Sequence, residues 1–263
     1  MTKELASGKL LLDEPAPGLA RLTLHNPDKR GALDHEMLDA LAAEVRSQKA
    51  RCVLLTGSGR MFSAGYDIGN LSEERFEQQA EALVAHPFHA AIEALEQYPY
   101  PTVAALNGHA IGGGLELALS CDIRIGQPGI RMGMPPAKLG LIYSHTGLRK
   151  FIEVCGLANT NELFYVGRNV DAERGLAMGL VNSLAEDAAE AGLETATEIA
   201  ANAPLALAGN KQAISTLRRH LHALPEEVER ELVELRESCF RSEDFREGVR
   251  AFGEKRPPRW QGS

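Results

Sequence analysis

Apolar positions along the chain follow two different periods. In the first two-thirds, short apolar runs alternate with helical stripes. Leu10 to Leu12 and Leu19 to Leu24 predict two short strands, separated by a turn at Pro15-Ala16-Pro17-Gly18. Asp34 stands as an N-cap ahead of Met37, Leu38, Leu41 and Val45, which fall on one helical face. Cys52-Val53-Leu54-Leu55 predicts a buried strand. A long helical stretch then ends near Gln97, and Thr102 to Leu106 is a further apolar strand. Gly112-Gly113-Gly114 opens a helix ending near Cys121, after which Ile123-Arg124-Ile125 returns as a strand. This rhythm predicts an α/β core with parallel pairing. No sequence repeat at a fixed period accompanies it.

From about residue 185 the pattern is helical only. Leu224, Val228, Leu232 and Leu235 recur at helical spacing among Glu and Arg residues. Ser242 caps a last helix that presents Phe245, Val249 and Phe252 on one face. A helical unit after an α/β core is the simplest arrangement. Its apolar faces fit either the core or a second subunit.

Composition removes several function classes. The 263 residues carry 28 Lys and Arg against 36 Asp and Glu, a net charge of −8, which opposes a generally basic nucleic-acid or membrane binder. No apolar run reaches membrane-spanning length, and the first residues do not form a signal peptide. Cys52, Cys121, Cys155 and Cys239 are scattered, without the spacing of a zinc site. The expectation is a cytoplasmic protein with free thiols and no bound metal.

Two segments hold candidate chemistry, Met61 to Ile68 and Asn107 to Glu116, each following a predicted buried strand. Both place small residues where a strand turns, allowing a ligand to approach the backbone closely. The second enters a helix, whose free N–H groups favour developing negative charge. Two such N–H groups converging on one carbonyl oxygen make an oxyanion hole. Glycines at these positions also serve tight packing alone, and the triplet does not fit the dinucleotide-binding fingerprint.

Taken together, Phe62-Ser63-Ala64-Gly65-Tyr66-Asp67, Gly112 to Ala118 and Cys121-Asp122 resemble the signature of the crotonase (enoyl-CoA hydratase/isomerase) superfamily. Leu24 to Leu33 is similar to the family's early coenzyme A segment, and Ala203 to Ala206 and Phe252 to Arg256 to its later landmarks. The resemblance implies a ββα spiral core over residues 1–200 that binds acyl-CoA, and a helical trimerisation domain over 201–263. It also implies a homotrimer or a hexamer built as a dimer of trimers. By the same resemblance, the N–H groups of Tyr66 and Gly113 hold the thioester oxygen. Ser63, Ala64, Gly65, Tyr66, Asp67 and Ile68 line the coenzyme A path with Lys29 and Arg30, while Phe252 and Lys255 approach from the C-terminus. No cofactor is implied beyond the coenzyme A that the substrate carries.

The reaction class turns on two positions. Glu116 lies about one turn into the helix that Gly113 opens, where it can face the α or β carbon of a bound acyl group. A family hydratase uses a second glutamate twenty residues later, and here that residue is Pro136, which cannot move a proton. Pro136 to Tyr143 and Ser242 to Gly248 resemble the methylmalonyl-CoA decarboxylase branch, in which Tyr143 and Glu116 face the acyl end. Tyr66 and Pro135 differ from that branch's usual histidine and hydroxyl residue. The expected function is therefore an acyl-CoA lyase that stabilises a thioester enolate, by decarboxylation of a malonyl or methylmalonyl thioester. Enoyl-CoA hydration or isomerisation is the alternative, and acyl-CoA binding without turnover is an alternative of another class. His109, His145 and Asp67 are expected to hold structure rather than act on substrate.

Overall fold

The computed structural model describes residues 2–67, 87–221 and 223–261. A seven-stranded sheet is built from Lys3–Leu5 (β1), Leu10–Ala16 (β2), Leu19–Leu24 (β3), Cys52–Gly57 (β4), Thr102–Leu106 (β6), Ile123–Gly126 (β8) and Ser183–Leu184 (β11), in that spatial order. A smaller sheet contains Met61–Ser63 (β5), His109–Ile111 (β7), Arg131–Gly133 (β9) and Val170–Asp171 (β10). β1 to β3 pair antiparallel, and from β3 to β11 the large sheet is parallel. Every residue of β4 and β6 is buried, as expected for strands covered on both faces.

The chain climbs as a spiral. Each turn lays one strand in the large sheet and the next in the small sheet, then returns through a helix. β4 and β5 precede Pro87–Gln97 (α2), and β6 and β7 precede Gly113–Leu119 (α3). Successive turns differ in length, since Val53 pairs with Thr102 whereas Val103 pairs with Ile123. A structural repeat with unequal loops leaves no fixed period in the sequence.

His35–Ser47 (α1) is capped as predicted, the Asp34 carboxylate accepting from the Met37 N–H at 2.9 Å. Met37, Leu38, Leu41 and Val45 are fully buried in the main core. His145–Asn161 (α4) and Ala172–Met178 (α5) follow the small sheet. Ala188–Ala201 (α6) covers the opposite face of the large sheet, burying Ala188, Ala196 and Ala200 against Leu54, Val103 and Ala105. The C-terminal helices are Pro204–Leu221 (α7), Glu226–Phe240 (α8) and Glu243–Gly253 (α9).

The last helix begins as expected, with Ser242 accepting from the Phe245 N–H at 3.0 Å. Phe245 is buried against Phe240, their ring centroids 5.3 Å apart, whereas Phe252 is exposed. The predicted stripe from Leu224 to Leu235 is shortened at its start. Pro225 is the N-cap of α8, which leaves Leu224 in the preceding loop, because proline's fixed φ and missing N–H suit a helix entry.

Candidate active site

The site forms where the two predicted segments meet a third. The loop after β3 clasps the strand end at Ser63: the Ser63 hydroxyl donates to the Gly31 carbonyl at 2.7 Å, and the Ala64 N–H to the Arg30 carbonyl at 3.1 Å. Leu33 then bridges to Tyr66 in parallel fashion, through Leu33 N–H to Gly65 O at 2.8 Å and Asp67 N–H to Leu33 O at 3.0 Å. A parallel bridge of this kind uses the amides on either side of Tyr66 and turns the Tyr66 N–H the other way. The early segment, including Lys29 and Arg30, is thus held against Ser63 to Asp67. Ile68 lies outside the described residues.

Gly65 brings the second segment alongside. Its φ is +88°, and a β-carbon there would stand 2.9 Å from the Ile111 carbonyl and 3.2 Å from the Gly113 nitrogen. Only glycine fits both the backbone angle and the approach. Gly113 is the first residue of α3, so its N–H has no acceptor within the helix. The amides of Tyr66 and Gly113 therefore lie on neighbouring backbones.

Glu116 completes the first turn of α3, its N–H donating to Gly112 O at 3.1 Å. Its carboxylate is buried, at 4 % exposure, and accepts a short hydrogen bond from the Tyr143 hydroxyl. Burial pushes the Glu116 carboxyl up, against the opposing pull of the Lys150 charge and the Tyr143 bond. Burial and then the Glu116 charge push the Tyr143 hydroxyl well above its ordinary range. The two groups are joined by this bond, both buried at the cavity wall. Pro136 is buried in a short 3₁₀ turn, Pro136–Leu139, and brings no second carboxylate there.

A cavity of about 300 Å³ opens over this pair. Tyr66, Phe88, Ile92 and Tyr143 form part of its wall, with the Tyr66 and Phe88 rings edge to face at 4.7 Å. Charged residues that sequence reasoning did not single out line the rest. Lys150, 6 % exposed, donates to the Ser120 hydroxyl at 2.6 Å and meets Glu96 at 3.0 Å. Although burial pushes Glu96 up, the Lys150 and Arg218 charges hold it below the usual carboxylate range. His145 and Arg236 also face the cavity.

The remaining candidates separate into clear cases. Asp67 meets the Lys29 ammonium at 2.5 Å, so the two predicted coenzyme A residues are already joined across the loop. The Ser63 side chain is spent on Gly31 and accepts from the Gly65 N–H at 3.1 Å, and its backbone is fully buried and paired with Ala110 in the small sheet. His109 is structural, accepting from the Arg131 N–H at 2.9 Å. His145 was expected to be structural only; it touches Glu229 at 3.4 Å but also lines the cavity. Phe252 and Lys255 are exposed at the end of α9, and among the described residues no ion pair or hydrogen bond ties the Lys255 ammonium to the pocket. Arg256, beside it, is bound by Glu247 at 2.6 Å.

Among the described residues no helix is long and apolar enough to cross a membrane, and no cluster of His, Cys, Asp and Glu is placed to hold a metal.

Comparison with known proteins matches this arrangement. The chain is 31% identical over 249 residues to the short-chain-enoyl-CoA hydratase of Clostridium acetobutylicum, covering 90% of this chain and 92% of that protein. It is 30% identical to the 2,3-dehydroadipyl-CoA hydratase of Escherichia coli, covering 92% and 94%. A solved structure of methylmalonyl-CoA decarboxylase in complex with 2-nitronate-propionyl-CoA superposes with a TM-score of 0.87 at 25% identity, over 97% of this chain and 99% of the other. Residues 14–263 match the enoyl-CoA hydratase/isomerase family model. With its ββα spiral and a glutamate one turn into the helix that Gly113 opens, the chain belongs to the enoyl-CoA hydratase/isomerase (crotonase) family of acyl-CoA-processing enzymes.

Proposed function

We propose that the protein decarboxylates a malonyl or methylmalonyl-type CoA thioester. The observation that carries this reading is the buried Tyr143–Glu116 pair with Pro136 in place of a second carboxylate. Loss of CO2 converts the bound thioester into an enolate, whose oxygen accepts from the Tyr66 and Gly113 N–H groups. Each such donor is worth on the order of 3 kcal/mol at the transition state. The enolate then needs one proton at its α carbon. Tyr143 gives it, and Glu116, whose carboxyl is pushed up by burial, supplies the replacement from solvent. The net change consumes one proton and releases CO2, and the reaction uses no cofactor beyond the substrate's own coenzyme A.

Hydration of an enoyl-CoA is the second reading, and it is favoured by the names of the sequence relatives. It asks one glutamate to serve both water and carbon. Comparing kcat/KM for malonyl, methylmalonyl and crotonyl thioesters separates the two. The proposal expects the malonyl type to lead by orders of magnitude; a lead for crotonyl-CoA would install the hydratase reading instead.

The same reading extends to assembly and location. Leu205, Ile214, Leu217, Leu224 and Leu235 are large and exposed on the C-terminal helices and the loop between α7 and α8, and Ile152, Leu157, Tyr165, Val166 and Leu176 form a second exposed apolar group; such surface suits subunit contacts. Sedimentation should give trimers or hexamers of a cytoplasmic enzyme, and a monomer at micromolar concentration would refute this. In the assembly Lys255 reaches the coenzyme A phosphates of a neighbouring subunit. Lys255→Ala should then weaken every CoA thioester alike, by roughly three- to tenfold in KM. An effect confined to one acyl group would reassign the residue.

A further inference from the structure

The cavity wall contains an arginine whose buried Nε has no acceptor among the described residues. Among the described residues, the buried side-chain atoms without a hydrogen-bond partner are His25 Nδ1, His145 Nδ1 and Arg236 Nε. The last two line the cavity that Tyr66, Glu116 and Tyr143 share. The other cations of this wall are engaged. Lys150 meets Glu96 at 3.0 Å, Arg218 meets Glu96 at 3.1 Å and Glu153 at 3.5 Å, and Arg149 meets Glu153 at 3.6 Å. Arg236 acts on Tyr66 through its charge alone, easing the Tyr66 hydroxyl down against burial and the Glu116 charge. Arg236 as a whole is half-buried, but its Nε is buried without an acceptor; a buried donor left unused is costly, and such sites are normally completed by an anion.

We propose that Arg236 binds a carboxylate carried by the acyl group, so that the preferred substrates are CoA half-thioesters of dicarboxylic acids. The chemistry of the wall supports this class over a plain acyl chain or a phosphate. Val233 and Phe240 flank Arg236 on α8, and Phe88 and Ile92 stand on α2, so methylenes can lie among them while the guanidinium takes the charged end. Glu229, two turns earlier on α8, is turned to His145 and leaves Arg236 unopposed. A planar guanidinium matches a carboxylate in two parallel hydrogen bonds. This inference rests on the acyl-CoA reading of the site but not on CO2 loss; a malonyl thioester is the shortest member of the class.

Glutaryl-CoA and valeryl-CoA test it, because they have acyl chains of equal length and neither carries a carboxylate at the α carbon or a double bond. Titration calorimetry with the full chain should show glutaryl-CoA bound about tenfold or more tightly. Arg236→Met should erase that preference and leave valeryl-CoA unchanged, with no fall in Tm for the free protein, since no internal bond is lost. Arg236→Lys should keep part of the preference, and it serves the comparison should the Met variant fold poorly. Equal binding of the two thioesters by the unsubstituted protein, or equal weakening of both by Arg236→Lys, overturns the assignment. Failure of malonyl turnover beside an intact glutaryl preference would remove the decarboxylase reading and leave this one standing.

Discussion

Gly113→Val should lower turnover of every acyl-CoA substrate a hundredfold or more while the protein remains folded. A β-carbon at this position would lie 3.0 to 3.3 Å from three atoms of the Tyr66 ring, close enough that the ring must give way. Valine's two methyl groups enlarge that intrusion on the face where the proposed mechanism places the thioester oxygen. Tyr66 also packs on Phe88 at 4.7 Å, so the displaced ring has little free room. Displacing the oxygen from one amide donor is worth about 3 kcal/mol, close to two orders of magnitude in rate. Circular dichroism and Tm establish folding, and single-turnover rates read the effect. Native turnover in a folded variant would take Gly113 out of the mechanism.

The second large effect is expected at Tyr143. Tyr143→Phe removes one hydroxyl and keeps the ring that packs on Phe164 at 5.5 Å between centroids. Without the proton donor, kcat for a malonyl-type thioester should fall on the order of a hundredfold, with KM nearly constant. The variant also strips Glu116 of the bond that opposes the upward push of burial, so its carboxyl should rise further and stay protonated to higher pH. A modest stability cost, about 1–3 kcal/mol for an orphaned buried acceptor, should appear in denaturant unfolding. A fall in affinity without a fall in kcat would make Tyr143 a packing residue.

The parts of the structure that follow local rules were readable from the residues. Asp34 and Ser242 cap their helices by bonding an amide three residues on, and β4 and β6 are apolar along their whole length. Glu116 and Tyr143 were legible as residues, through the family pattern, but not as a bonded pair, since 27 residues separate them. Lys150, Glu96 and Arg236 were not recognised, and His145 was read as structural only. On a Glu- and Arg-rich helix such as α8, a charged residue ordinarily faces solvent. The available signal was positional: Lys150 continues the buried face of Gly147, Phe151 and Cys155, and Arg236 stands between Val233 and Phe240. A cation placed on an apolar stripe is drawn wholly or partly out of water, as Lys150 and Arg236 are, and its buried donors need a partner in the protein or in its ligand. The lost start of the Leu224 stripe has a simpler cause, because a period carries no information on where Pro225 begins the helix.

The enolate is the centre of this account, and the fate of one hydrogen reports on it most directly. Methylmalonyl-CoA incubated with the enzyme in deuterium oxide should yield CO2 and a propionyl thioester bearing one deuterium at its α carbon, read by mass spectrometry. Return of methylmalonyl-CoA unchanged, from the same preparation that adds water to crotonyl-CoA, would contradict the account.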